Sequence, residues 1–129
     1  MDWKEQLLNR GYPEDDIKVY AECELTCAYC GADGRDCYFV FRHLVLDHVV
    51  PKALFPSGQN VNKDNRVVSC VRCNSLKGAW LPDGKLEALL LLDNAQDRAE
   101  ELKTEMMDRI DKEKSDWEAF KKGISSNEK

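Results

Sequence analysis

Two Cys-x-x-Cys pairs, Cys27/Cys30 and Cys70/Cys73, bracket an Asp-His dipeptide at Asp47-His48, and Asn74 and Lys77 follow the second pair directly. Four thiolates at that spacing can close a tetrahedral zinc site. An Asp-His pair between the two halves suits metal-assisted phosphodiester chemistry, with a carboxylate for a hard cation and an imidazole for a proton. Four sulfurs leave zinc no open position. The zinc expected here is therefore a scaffold, and a second metal does the chemistry.

Cys30 and Cys70 are separated by 39 residues, more than a compact zinc ribbon uses. The stretch between them must supply elements of its own. Residues 36–47 are rich in aromatic and β-branched side chains and read as a strand, which Pro51 stops near His48. Residues 52–64, with Pro, Gly and Asn, read as a loop. A short strand from Arg66 to Ser69 leads into the second cysteine pair, and a helix is expected from near Cys73 to Trp80. Gly31 lets the backbone curl so that amides donate to the Cys30 sulfur, as thiolate sites require.

The quoted motifs resemble the HNH endonuclease family. They are Cys-Ala-Tyr-Cys-Gly (27–31), Leu-Asp-His-Val-Val-Pro (46–51), Asn-Arg-Val-Val-Ser-Cys (65–70) and Cys-Asn-Ser-Leu-Lys-Gly (73–78). The resemblance covers residues 27 to 80 and implies an α+β fold. Its core would be the ββα-metal (His-Me finger) unit, stapled by a four-cysteine zinc site. It implies a DNA endonuclease of bacterial or phage origin that leaves 5′-phosphate and 3′-hydroxyl ends. His48 would be the general base; an ordinary imidazole titrates at about 6.5, close to working pH. Asp47 and Asn74 would hold Mg²⁺ or Mn²⁺, and Asn65 would orient the His48 ring or its loop. Lys77 and Arg72 would contact phosphate, with Lys52 and Arg66 further out. The family's final histidine is Asn74 here, as in H-N-N members. An amide oxygen still suits Mg²⁺ but disfavours nitrogen-preferring metals.

Each of these residues also has a plain structural role open to it. Asp47-His48 can be a hydrogen-bonded strand end, Asn65 a turn residue like Asn60 and Asn62, Asn74 a helix cap, and Lys77 a solvated helix lysine. His43, the other histidine, reads as structural, and Cys23 and Cys37 as small buried hydrophobes. Two rival functions follow: a catalytically silent zinc module that binds nucleic acid or protein, and an RNA-cutting toxin with the same site.

Composition bounds the rest. A chain of 129 residues accommodates one domain with an appendage, and the motif-bearing stretch is short enough for a structural metal to matter. Six cysteines without a basic, apolar leader point to a cytoplasmic metal protein rather than a disulfide framework. The longest apolar run, Ala88 to Leu92, cannot cross a membrane. Net charge is −5, yet residues 27–80 carry seven basic and four acidic groups, a net +3, and each flank carries −4. Phosphate affinity must come from a local patch.

The flanks read as helical. Residues 1–26 hold a short helix broken at Gly11-Tyr12-Pro13 and a second one through Tyr20 and Leu25. Residues 81–122 carry apolar side chains at steps mostly of three and four from Leu86 to Phe120, as one amphipathic helix or two broken near Asp93-Asn94. That face folds back on the domain or serves a homodimer or partner protein; its acids exclude a membrane-surface helix. Residues 123–129 read as a disordered tail.

Overall fold

The computed structural model describes the backbone of residues 2–127 and side chains through Ile124. Helix α1 (Trp3–Asn9) starts at Asp2, whose carboxylate accepts from the Lys4 and Glu5 amides. Helix α2 (Glu14–Glu22) opens after Pro13, with three acids in its first turn facing the positive helix end. It ends three residues short of the expected Leu25. Glu24 and Leu25 both adopt left-handed backbone conformations, turning the chain into the first cysteine pair.

The long strand expected over residues 36–47 does not form as a whole. Tyr38–Arg42 is one helical turn, α3, and only Leu44–His48 is a strand, β1. The reason is the partner. Strand β2 (Arg66–Cys70) pairs antiparallel with β1, Leu44 opposite Cys70 and His48 opposite Arg66. Beyond Cys70 the chain enters helix α4 (Val71–Lys77), so nothing remains for residues 38–42 to pair with. Strand propensity without a ladder does not decide. His43 consequently sits at the C-terminal end of α3, exposed, its Nδ1 2.7 Å from the Phe39 carbonyl. Cys37 is exposed as well, against the buried placement expected for it, whereas Cys23 packs against the core with Sγ 3.4 Å from the Val68 amide.

Between the strands lie a 3-10 turn at Lys52–Leu54 and an asparagine-rich loop. Gly78, at φ +50°, ends α4 three residues before the expected Trp80. Helix α5 (Lys85–Leu90) is followed by a break, and Asn94 then starts helix α6 (Ala95–Asn127) by accepting from the Asp97 amide at 2.8 Å. Of the two arrangements expected, the two-helix one forms, with its break at the expected position. Helix α6 continues to Asn127, through part of the tail read as disordered; Gly123 costs a helix only about 1 kcal/mol, too little to stop it. Glu128 and Lys129 lie outside the described residues.

One core joins the centre to the C-terminal helices. Tyr29, Val49, Val50, Val67 and Cys73 pack with Leu89, Ala95, Ala99, Leu102, Met106 and Ile110. Each fully buried Leu or Met contributes on the order of 2 kcal/mol. Arg109 adds a tie, donating to the Leu76 carbonyl at 2.6 Å while lying 3.5 Å over the Trp80 ring. A smaller cluster of Val19, Leu44 and Val68 seats α2 on the other ribbon face. Past Ile110 the helix leaves the domain. Residues 111–124 are exposed all round, including Trp117, Phe120 and Ile124.

Candidate active site and metal centre

The register gives the ribbon two functional ends. At one, Leu44 faces Cys70 beside the cysteines; at the other, His48 faces Arg66. The four sulfurs of Cys27, Cys30, Cys70 and Cys73 lie within 4.8 Å of one another. Cys30 and Cys70 Sγ are 3.7 Å apart. A tetrahedron with zinc–sulfur bonds of about 2.3 Å has edges of roughly 3.8 Å, so the donors fit that ion. The amide of Ala32 hydrogen-bonds the Cys30 sulfur and that of Cys73 bonds Cys70 at 3.4 Å. Gly31 makes this turn at φ +79°, and Gly34 lets the chain pass where a Cβ would meet Leu44 Cδ1 at 2.6 Å.

The thiols compete for ionisation. Hydrogen bonds from Cys30, Cys70 and Cys73 pull the Cys27 thiol far down. Contacts with Cys27 and Cys30 push the Cys70 and Cys73 thiols up. Four neighbouring thiolates need a cation among them.

At the other end, neighbouring strand residues face opposite ways. Asp47 points inward and is 5% exposed. Its Oδ2 accepts from the Tyr29 hydroxyl at 2.6 Å and lies 3.3 Å from the Lys77 ammonium. Lys77 Nζ also donates to the His48 carbonyl at 2.9 Å. Burial pushes the Asp47 carboxyl up, against the pull of the Lys77 charge and the Tyr29 hydroxyl. Burial likewise pushes the Lys77 ammonium down, against the pull of Asp47.

His48 is half-buried, and its Nε2 lies 2.7 Å from Asn62 Oδ1. An amide oxygen only accepts, so this contact places a proton on Nε2; of the two neutral tautomers it selects the one with its lone pair on Nδ1. Asn65 acts on the loop and not on the ring. Its Oδ1 accepts from the Val50 amide at 2.9 Å, its Nδ2 donates to the Val50 and Val61 carbonyls, and its own carbonyl accepts from Val49. Arg98, on α6, donates to the Asp64 carbonyl at 2.8 Å and braces the same loop.

Helix α4 unites both ends. Cys70, Cys73, Asn74 and Lys77 recur at steps of three, one and three, which is a single helical face. Asn74 is half-buried on that face, one turn from Lys77. Asp47 Oδ1, which neither Tyr29 nor Lys77 uses, and the Asn74 amide oxygen are hard donors of the kind Mg²⁺ accepts.

The expected phosphate contacts separate into two groups. Lys52 and Arg72 are exposed, with Arg72 alongside Cys73. Lys77 is 1% exposed, so its ammonium is committed to Asp47 instead of phosphate. Arg66 is tied to Asp16 of α2 at 2.8 Å. Two residues with evident bearing on the site, Tyr29 and Asn62, were not singled out by the sequence. Tyr29 stands between two zinc-spaced cysteines, which hid a second role. Asn62 is one asparagine among several in a loop.

Residues 27–79 match the family model described as HNH endonuclease. The match covers 53 of the chain's 129 residues, and over that segment the chain is similar to an HNH endonuclease domain. Both strands and α4 fall inside it, in agreement with a ββα fold beside a cysteine cluster. HNH nucleases act on nucleic acids and use divalent metals. No curated protein and no solved structure matches the chain. Among the described residues, no helix is long and apolar enough to cross a membrane.

Proposed function

We propose that the chain is a metal-dependent DNA endonuclease that hydrolyses phosphodiester bonds to 5′-phosphate and 3′-hydroxyl ends. The observation that carries this reading is the His48–Asn62 contact of 2.7 Å at the free end of the ribbon. It fixes the tautomer in which Nδ1 can take a proton from an attacking water. Asp47 Oδ1 and Asn74 would hold Mg²⁺ or Mn²⁺, which supplies stabilisation of charge on the leaving oxygen. Asn65 keeps the loop closed behind His48, and the cysteine cluster, with zinc, holds the far end of both strands together.

The test is plasmid nicking in Mg²⁺ by His48→Ala. Loss of at least about 100-fold in rate is expected, with zinc content and melting preserved. Unchanged nicking would remove His48 from the reaction. RNA and DNA offered side by side decide between a DNA enzyme and an RNA-cutting toxin.

One observation favours a second reading, a silent zinc module that binds nucleic acid or protein. The Lys77 ammonium already neutralises Asp47 at 3.3 Å. Bound nucleic acid that is never nicked, with any divalent metal, would establish that reading.

A further inference from the structure

Helices α1 and α3 and the turns after α1 and α2 enclose a groove of about 770 Å³, lined by Trp3, Tyr12, Tyr38, Phe41, Arg10 and Arg42 among others. Its charged lining residues are both arginines, and no carboxylate joins them. This is unexpected, because residues 1–26 carry a net −4. Both arginines are exposed, and neither has an ion-pair partner among the described residues. Tyr38 is 76% exposed and Trp3 37%. Large rings left in water beside unpaired guanidinium groups fit a ligand that is flat, aromatic and anionic.

We infer that this groove binds a single-stranded segment of nucleic acid, its bases stacked on Tyr38 and Trp3 and its phosphates held by Arg10 and Arg42. Stacking on aromatic rings tolerates any base, because every base has a π face, and the arginines track the backbone. An apolar peptide would meet the same rings but leave two desolvated guanidinium charges without counter-ions.

Position supports the assignment. The ribbon face that carries His48 also carries Leu44 and Val68, which pack against α2 and, through Val40, against α3. The groove therefore lies on the His48 side, at the opposite end of β1. Four strand steps from Leu44 to His48 span about 13 Å, the rise of roughly four stacked nucleotides. A strand seated in the groove would have to run at least that far, past α2, to reach His48. Strand selection would then come jointly from Trp3 and Arg10 of the N-terminal flank and from Tyr38 and Arg42 of α3, which lies inside the matched segment. The placement relative to cleavage rests on the nuclease reading; the groove itself does not.

The experiment uses the full zinc-loaded chain carrying His48→Ala, so that binding is read without cutting, and a labelled mixed-sequence single-stranded oligonucleotide in an anisotropy titration. Tyr38→Ala should weaken binding about tenfold and leave the salt dependence unchanged. Arg42→Ala should weaken binding and reduce the slope of log affinity against log salt by about 0.7. Zinc content and melting should stay as in the parent. Affinity within twofold of the parent for both variants would overturn the assignment. Equal loss of affinity for a duplex of the same length would overturn base stacking. If the variants behave as expected while the chain with His48 intact never nicks plasmid, the nuclease reading falls alone. If it nicks and the variants bind normally, the groove assignment falls alone.

Discussion

Asp47 and His48 are adjacent in one strand, and they live under different physics. Asp47 faces α4, is 5% exposed, and commits an oxygen to a phenol and an ammonium. His48 faces the loop, is half-buried, and makes one side-chain hydrogen bond, to an exposed asparagine. The inner face holds its charge by close pairing in a dry setting, where a missing partner is strongly destabilising. The outer face holds its ring lightly and leaves a nitrogen free. A site of this kind separates its duties: the side that fixes geometry is stabilised by burial, and the side that exchanges protons keeps access to water.

Removing zinc erases the difference between the faces altogether, and it is the largest effect expected. The cysteines fasten the end of the ribbon opposite His48, and Cys27 and Cys73 belong to the same core as α6. Structural zinc sites contribute on the order of 10 kcal/mol to folding. Chelation should therefore abolish cooperative melting of the whole unit, monitored by circular dichroism alongside metal analysis. A metal-free chain melting at the same temperature would show that packing alone holds both faces.

Lys77→Met attacks only the inner face. It leaves a buried carboxylate with the Tyr29 hydroxyl and no counter-charge, a loss of about 3–5 kcal/mol in denaturant unfolding near neutral pH. Adding Asp47→Asn should recover part of that loss, because the stranded charge is then gone. The pH dependence has a definite sign. Burial already raises the Asp47 carboxyl above its ordinary value, so its ionised form is disfavoured in the folded state. Without Lys77 that bias grows. The gap between variant and parent should narrow as pH falls from neutrality toward the carboxylate range, where Asp47 takes up a proton. A loss independent of pH would mean that Lys77 acts by packing and not by charge.

Much of this contrast was legible in the sequence, and its limits are instructive. The cysteine spacing, the second strand and the break before α6 follow from local chemistry: ligand spacing, β-branched runs, and an asparagine that caps. What stayed hidden is tertiary. Residues 38–42 have strand composition but no strand to pair with, because β2 ends at Cys70. Lys77 reads as a solvated or phosphate-binding lysine until α4 is seen to turn it onto Asp47. The apolar series of α6 skips from Ile110 to Trp117 across six polar residues before resuming through Phe120, and Ile110 is 1% exposed while Phe120 is 66%. The lapse after Ile110 marks where the domain beneath the helix stops, and the rings that resume the face at Trp117 and Phe120 obscured it.

Asn62→Ala tests the outer face and should barely touch stability. It removes one exposed hydrogen bond, worth less than about 1 kcal/mol, and leaves the Asn65 contacts that close the loop. Its effect belongs in the rate. Without the amide oxygen the imidazole can rotate and carry its proton on either nitrogen, so the base is correctly oriented only part of the time. Residues that orient a reacting imidazole typically matter by about 10- to 100-fold. Plasmid nicking in Mg²⁺ should slow by that range while melting moves little. Asn65→Ala should do the reverse in proportion, losing stability first, because the amide groups it satisfies are buried. Were Asn62→Ala to melt as early as Asn65→Ala, the outer face would be as tightly built as the inner one. The freedom of the His48 ring would then need another origin.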